Sequence, residues 1–175
     1  MLAGAVEANG VASLVVLTKR YTPETREQLA QLEQQGGWVG GSARWLNGAL
    51  LGGPFSKSPW RHERGPLDDI GPHAFDLLDA TLGTITDVVA ANESEHGVWQ
   101  IVFRHEGGAT SVATMTMALP LNPSIAEVIV YDRVLSDAEG VNEENVSRYQ
   151  TAGTCLTLGL EKSNWSGNAP FSSSV

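Results

Sequence analysis

The sequence has almost no cysteine, few basic residues and no long apolar run, and each shortage removes a class of protein. Cys155 is the one cysteine among 175 residues. It lies in an uncharged stretch of mostly small and apolar residues, so the chain can build neither an internal disulfide framework nor a cysteine-ligated metal site. A reducing, cytoplasmic setting fits that usage. Eleven Lys and Arg stand against twenty Asp and Glu, a net charge of −9, which opposes binding to nucleic-acid phosphates and to anionic membrane surfaces. The first twenty residues, MLAGAVEANGVASLVVLTKR, have no basic segment ahead of their apolar run. No window approaches the roughly eighteen apolar residues of a spanning helix. Neither export nor membrane insertion is expected, and the sequons at Asn92, Asn145 and Asn164 read as chance matches. The histidines, His62, His73, His96 and His105, lack the paired spacing of a zinc helix. No phosphate-binding loop of the Walker type occurs. The nearest glycine-rich turn, Gly36–Gly41, follows a helix and precedes a strand, the reverse of a dinucleotide site. No serine occupies a strand–turn–helix elbow beside a base.

What is present suits one well-cored domain, residues 1–162, followed by a polar tail, 163–175. Residues 1–10 read as the end of a helix stopped by Asn9-Gly10. Val11–Tyr21 reads as a core strand, because Leu14, Val15, Val16 and Leu17 are apolar at successive positions, as in a strand buried on both faces. Thr22-Pro23 starts a helix that Gly36-Gly37 ends. A strand is expected within Trp38–Leu51, with Ala43 and Trp45 on one side and Arg44 and Leu46 on the other. Thr84–Ala91, Val98–His105, Ala109–Leu119 and Ile125–Tyr131 are further strands, the middle two joined by Glu106-Gly107-Gly108 as a hairpin. That meander favours antiparallel pairing and an α+β class. Ser136–Glu139 resembles a helix start, and Thr151–Leu160 is a better buried stretch.

Gly65–Leu82, GPLDDIGPHAFDLLDATL, carries the spacing that most resembles chemistry. Pro72 marks a helix start with Gly71 as its cap, which puts His73 in the first turn. Unpaired amides and the positive end of the macrodipole hold an imidazole there nearer its neutral, proton-accepting form. Asp69, just ahead of the helix, pulls the other way and can orient the ring and stabilise the charge once a proton arrives. Acidic residues also collect at helix N-termini for electrostatic reasons alone. A metal bound by Asp68, Asp69 and His73 is a minor alternative, and none is assigned. Upstream, the connection Gly52–Gly65 has a basic centre with Lys57, Trp60 and Arg61. Such residues can bind a polar small molecule by stacking and donation, or Trp60 can pin the loop while the charges stay wet.

The run Leu67–Leu78 followed by Leu82-Gly83, with Ser58-Pro59-Trp60-Arg61 and Lys19-Arg20-Tyr21-Thr22-Pro23 upstream, resembles the second domain of the Gfo/Idh/MocA oxidoreductases, the glucose–fructose oxidoreductase and inositol dehydrogenase family. The match runs in order from about Val6 to Tyr131. It implies an open, mainly antiparallel sheet with helices packed on one face and commonly an oligomer interface on the other. It also implies an NAD- or NADP-binding Rossmann domain outside this chain, with no cofactor site on the chain itself. By resemblance, Asp69 and His73 form the substrate-side catalytic pair, and His73 exchanges a hydroxyl proton of a sugar or polyol-like alcohol. Trp60 and Arg61 belong by resemblance to the substrate loop, and Lys57 is grouped with them as substrate-binding. The family's lysine, in a Glu-Lys-Pro motif, has no counterpart here, so the chain alone is expected to be inactive. The alternative is a stand-alone binding or dimerisation module on the same fold.

Overall fold

The computed structural model describes residues 2–121, 124–131 and 155–159. Helices α1 (Leu2–Asn9) and α2 (Pro23–Gln35) precede strand β1 (Gly40–Leu46). Helices α3 (Pro59–Asp69) and α4 (Gly71–Leu82) then lead into β2 (Ile85–Glu93), β3 (Trp99–His105), β4 (Thr110–Thr116), β5 (Ile125–Tyr131) and β6 (Cys155–Gly159). The strands form one open sheet in the order β2-β3-β4-β1-β5-β6. β1 and β4 are parallel and every other pairing is antiparallel, so the architecture is the expected α+β fold with a mainly antiparallel sheet. The simple meander is corrected, however. β1 inserts between β4 and β5, because the pairing that buries its glycines and Ala43 is non-local in sequence.

The sheet register explains which face is covered. Ile101, Ala113, Ala43 and Val128 stand in one cross-strand row, and Phe103, Ser111, Gly41 and Val130 in another. Most of these are buried, and Ala74, Leu77, Leu78 and Leu82 of α4 join them in the same core. Four small or branched apolar residues on one stripe make α4 amphipathic, and each fully buried leucine contributes about 2 kcal/mol of transfer free energy. Gly41 makes the close approach possible. A Cβ there would lie 2.7 Å from the Ile129 carbonyl oxygen and 3.2 Å from Leu82 Cδ1. Phe75 of α4 meets Phe103 edge-on at 5.0 Å between centroids. The opposite face carries the row Val102, Val112, Ser42 and Ile129, with ion pairs Arg44–Glu127 and Arg104–Asp87 beside it.

Buried polar groups on the helix face are paired. His105 is 2% exposed; its Nδ1–H donates to the Gly83 carbonyl at 2.6 Å, and its Nε2 accepts from the Ser111 hydroxyl at 2.8 Å. Both ring nitrogens are thereby used, which identifies His105 as a neutral structural histidine.

Three further expectations are corrected. Residues 11–17 are not a strand: they have no regular structure, and 18–21 form a turn. Leu14, Val15 and Val16 are 75%, 72% and 67% exposed, because nothing among the described residues covers either face of the run. The connection from Gly52 is shorter than expected, since α3 begins at Pro59, with Pro in its first turn. The breaker residues Gly65-Pro66 were the reason to read a loop there. They instead kink α3, Gly65 taking a φ of 66° that glycine adopts without strain. Ile70, not Gly71, occupies the junction that both ends α3 and caps α4, and Pro72 is in the first turn as expected. The segments Ser136–Glu139 and 163–175, and the sequons at Asn145 and Asn164, lie outside the described residues. The stretch 151–160 contains β6.

Candidate active site

The joint between α3 and α4 brings His73, Asp69 and Arg61 into one region and adds three residues that spacing did not single out: Asp76, Arg20 and Trp45. Asp69 ends α3, His73 lies in the first turn of α4, and Ile70 links them in a helical conformation. His73 is half-buried, its ring 5.8 Å from that of Trp45 on β1. Its Nδ1 is buried with no hydrogen-bond partner among the described residues, and so is Oδ2 of Asp76. The two sit one turn apart on α4, on neighbouring positions of one helix face. The other oxygen of Asp76 accepts from Arg20 Nη1 at 2.5 Å. That pair ties the 18–21 turn to α4 and places Lys19 near the imidazole.

Electrostatics follow from this placement. Burial holds the His73 pKa below its ordinary value of 6.5; Asp69 and Asp76 pull it back up, and Lys19 pushes it further down. The neutral ring is therefore the form the fold favours, as its helix position led us to expect. The two carboxylates remain available to stabilise imidazolium after a proton is taken.

Asp69 is not hydrogen-bonded to His73. Arg61 takes it instead, Nε donating to Oδ2 at 2.8 Å and Nη2 lying 3.5 Å from Oδ1. The guanidinium is stacked at 4.4 Å from the ring centroids of both Phe55 and Trp60. A fork-shaped cation outcompetes an imidazole for a carboxylate because it offers two donors in one plane. Arg61 is thus a fastener between the 53–58 loop and the α3–α4 joint, whereas Trp60 and Lys57 are exposed beside it. Asp68 points elsewhere, to Arg64 at 3.1 Å. Among the described residues, no three of His, Cys, Asp and Glu gather to hold a metal ion. Asp76 had a sequence signal, the three-residue spacing from His73 on a helix. Arg20 had only its place in the quoted pattern.

Replacing Arg61 by alanine removes the cation that neutralises Asp69, and the His73 pKa is then expected to rise. Titrating the His73 ring by NMR in the wild type and in Arg61→Ala reads the shift directly. An unchanged or lower value would show that Asp69 does not act on the ring.

The glycines nearest to a nucleotide turn serve the sheet. A Cβ on Gly40 would lie 3.0 Å from the Thr110 carbonyl oxygen, as Gly41 does with Ile129, and both glycines belong to the β1 ladder. These residues do not fit a dinucleotide pyrophosphate. Among the described residues, no helix is long and apolar enough to cross a membrane.

The fold is one that solved NAD-linked dehydrogenases contain. One such structure is the WlbA (WbpB) dehydrogenase from Thermus thermophilus in complex with NAD and alpha-ketoglutarate, at 20% identity and a TM-score of 0.59, over 84% of this chain and 51% of that one. Another is the WlbA dehydrogenase from Bordetella pertussis in complex with NADH and UDP-GlcNAcA, at 18% identity and a TM-score of 0.55, over 74% and 43%. A third is GenD2 from gentamicin A biosynthesis in complex with NAD, at 21% identity and a TM-score of 0.60, over 74% and 40%. The likeness is one of fold, and the chain spans about half or less of the length of these neighbours. No protein-family model matches the sequence, and no curated protein matches it.

Proposed function

We propose that this chain is the substrate-side domain of an NAD(P)-dependent oxidoreductase of the Gfo/Idh/MocA type, acting on a sugar or polyol-like alcohol in a cytoplasmic setting. The observation that carries the reading is His73: a half-buried imidazole kept neutral by burial, flanked by two carboxylates, on a fold that NAD-bound dehydrogenases contain. His73 accepts the proton of the substrate hydroxyl. Asp69 and Asp76 stabilise the imidazolium so formed. Trp60 and Lys57, exposed beside the joint, contact the substrate, and Arg61 orders the loop that presents them. The cofactor is held by a separate nucleotide-binding domain, since the described residues do not fit it. A sugar-type alcohol is in keeping with the UDP-GlcNAcA bound to the Bordetella pertussis neighbour.

The test is reduction of NAD or NADP by the protein that carries both domains, assayed against a panel of sugars and polyols. Turnover with a member of the panel by that protein, and none by residues 1–175 alone, is the expected result. No turnover by the two-domain protein with any member would favour a binding or dimerisation module.

Self-association through the uncovered sheet face is part of the same reading. Val102, Val112 and Ile129 there form an apolar row between ion pairs, a composition suited to an interface core with a polar rim. Light scattering is expected to give a homo-oligomer that Val112→Lys dissociates. A monomer at high concentration would contradict it.

A further inference from the structure

The largest mismatch between sequence pattern and structure is the run from Val11 to Leu17. Val11, Leu14, Val15 and Val16 are between 55% and 75% exposed, yet four successive apolar residues are the pattern of a strand covered on both faces. The sheet described above has helices on one face only. It therefore cannot be the sheet this run was selected for.

What precedes the run sharpens the argument. α1 ends on Gly10 with φ at 59°, the Gly10 amide donating to the Glu7 carbonyl at 3.2 Å and the Val11 amide to the Val6 carbonyl at 3.3 Å. This is a Schellman stop, which ends a helix and releases the chain directly into an extended segment. α1 is itself exposed along most of its length. A helix joined by one glycine to an apolar strand is the second half of a crossover unit, and crossovers connect parallel strands in sheets with helices on their faces. Both members of the unit lack a packing partner here. The tight turn at 18–21 follows, where the Arg20 amide donates to the Leu17 carbonyl at 3.0 Å, and the Arg20–Asp76 pair then fixes this turn to α4 beside His73.

We propose that Val11–Leu17 is a strand of a second, mainly parallel sheet covered by helices on both faces, carried by the part of the same polypeptide that these residues do not span. This rests on the reading that a nucleotide-binding domain accompanies the chain, and doubly wound sheets of this kind are the ones that bind dinucleotides. The neighbours in which NAD is bound are about twice the length of this chain or longer. The run is then the joint between the two domains, and the Arg20–Asp76 pair sets the position of that joint relative to the imidazole.

Hydrogen exchange read by mass spectrometry tests the proposal on two proteins: residues 1–175, and the product of the reading frame extended upstream of Met1. Amides of 11–17 are expected to exchange freely in the shorter protein and roughly 100-fold or more slowly in the longer one. An absence of protection in the longer protein, or an in-frame stop directly upstream, overturns the proposal. Protection in the shorter protein that grows with its concentration also overturns it, since a second copy then covers the run. NAD binding to the longer protein, measured by calorimetry, is a separate readout. Protection without NAD binding leaves the joint standing and removes the nucleotide reading; NAD binding without protection does the opposite.

Discussion

In the two-domain enzyme, His73→Ala is expected to lower kcat by about 10²–10⁴-fold while leaving KM nearly unchanged, the range that loss of a general base produces. The imidazole is half-buried at the mouth of α4 with Nδ1 unpartnered, so its removal takes away a proton acceptor without taking away a packed core residue. The pH profile carries the same signature. Burial holds the His73 pKa below 6.5, and the reactive form is the neutral one. The rate is therefore expected to be flat above 6.5 and to fall on the acid side with an apparent pKa below that value. Stability follows the same sign. A lowered folded-state pKa means that the contribution of this group is complete above its ordinary value and is lost as pH falls through the folded one. An unchanged kcat in His73→Ala, or a rate that falls as pH rises through 6.5, would remove His73 from the proton-transfer role.

The second large effect concerns the platform. Leu77→Ala is expected to destabilise the fold by about 2–5 kcal/mol, with a fall in Tm on the order of 10 °C for a chain of this size. Leu77 is 0% exposed and packs in the same core as Ala43, Ile101 and Val128. It lies one turn beyond His73 on the same helix, so a cavity there loosens the element that aims the imidazole. Urea melts followed by circular dichroism measure the loss. A change smaller than about 0.5 kcal/mol, the size of an ordinary surface substitution, would mean that α4 does not pack on the sheet as described.

Much of the fold was legible because its signals are local. The Gly107-Gly108 turn, both residues at positive φ, and the alternation of Trp99, Ile101 and Phe103 against Ala113 and Met115 specify the β3–β4 hairpin without reference to the rest of the chain. Ile125–Tyr131 could be bounded in the same way, and Ala43 and Trp45 could be assigned to the covered side. The parallel β1–β4 pair was not legible, since strand adjacency across more than sixty residues leaves no periodic trace in either strand. Residues 11–17 show a different gap. An apolar run records that a segment is to be buried, but not by which sheet.

At the candidate site the sequence identified the helix start and His73, and the local electrostatics agree with it. It could not decide which of two neighbours Asp69 would meet. His73 lies four residues on and Arg61 eight residues back, yet the guanidinium lies within 2.8 Å of the carboxylate, because the kink at Gly65 folds the first half of α3 back toward the joint. The role of Arg20 was hidden for a related reason: its partner Asp76 is fifty-six residues away.

The most direct measurement of the central claim is the reading frame immediately upstream of Met1. The account predicts an in-frame glycine-rich βαβ unit ending in Glu-Lys-Pro, which would supply the nucleotide site and the lysine that these residues lack. A native start at Met1 with no such unit preceding it would contradict the account.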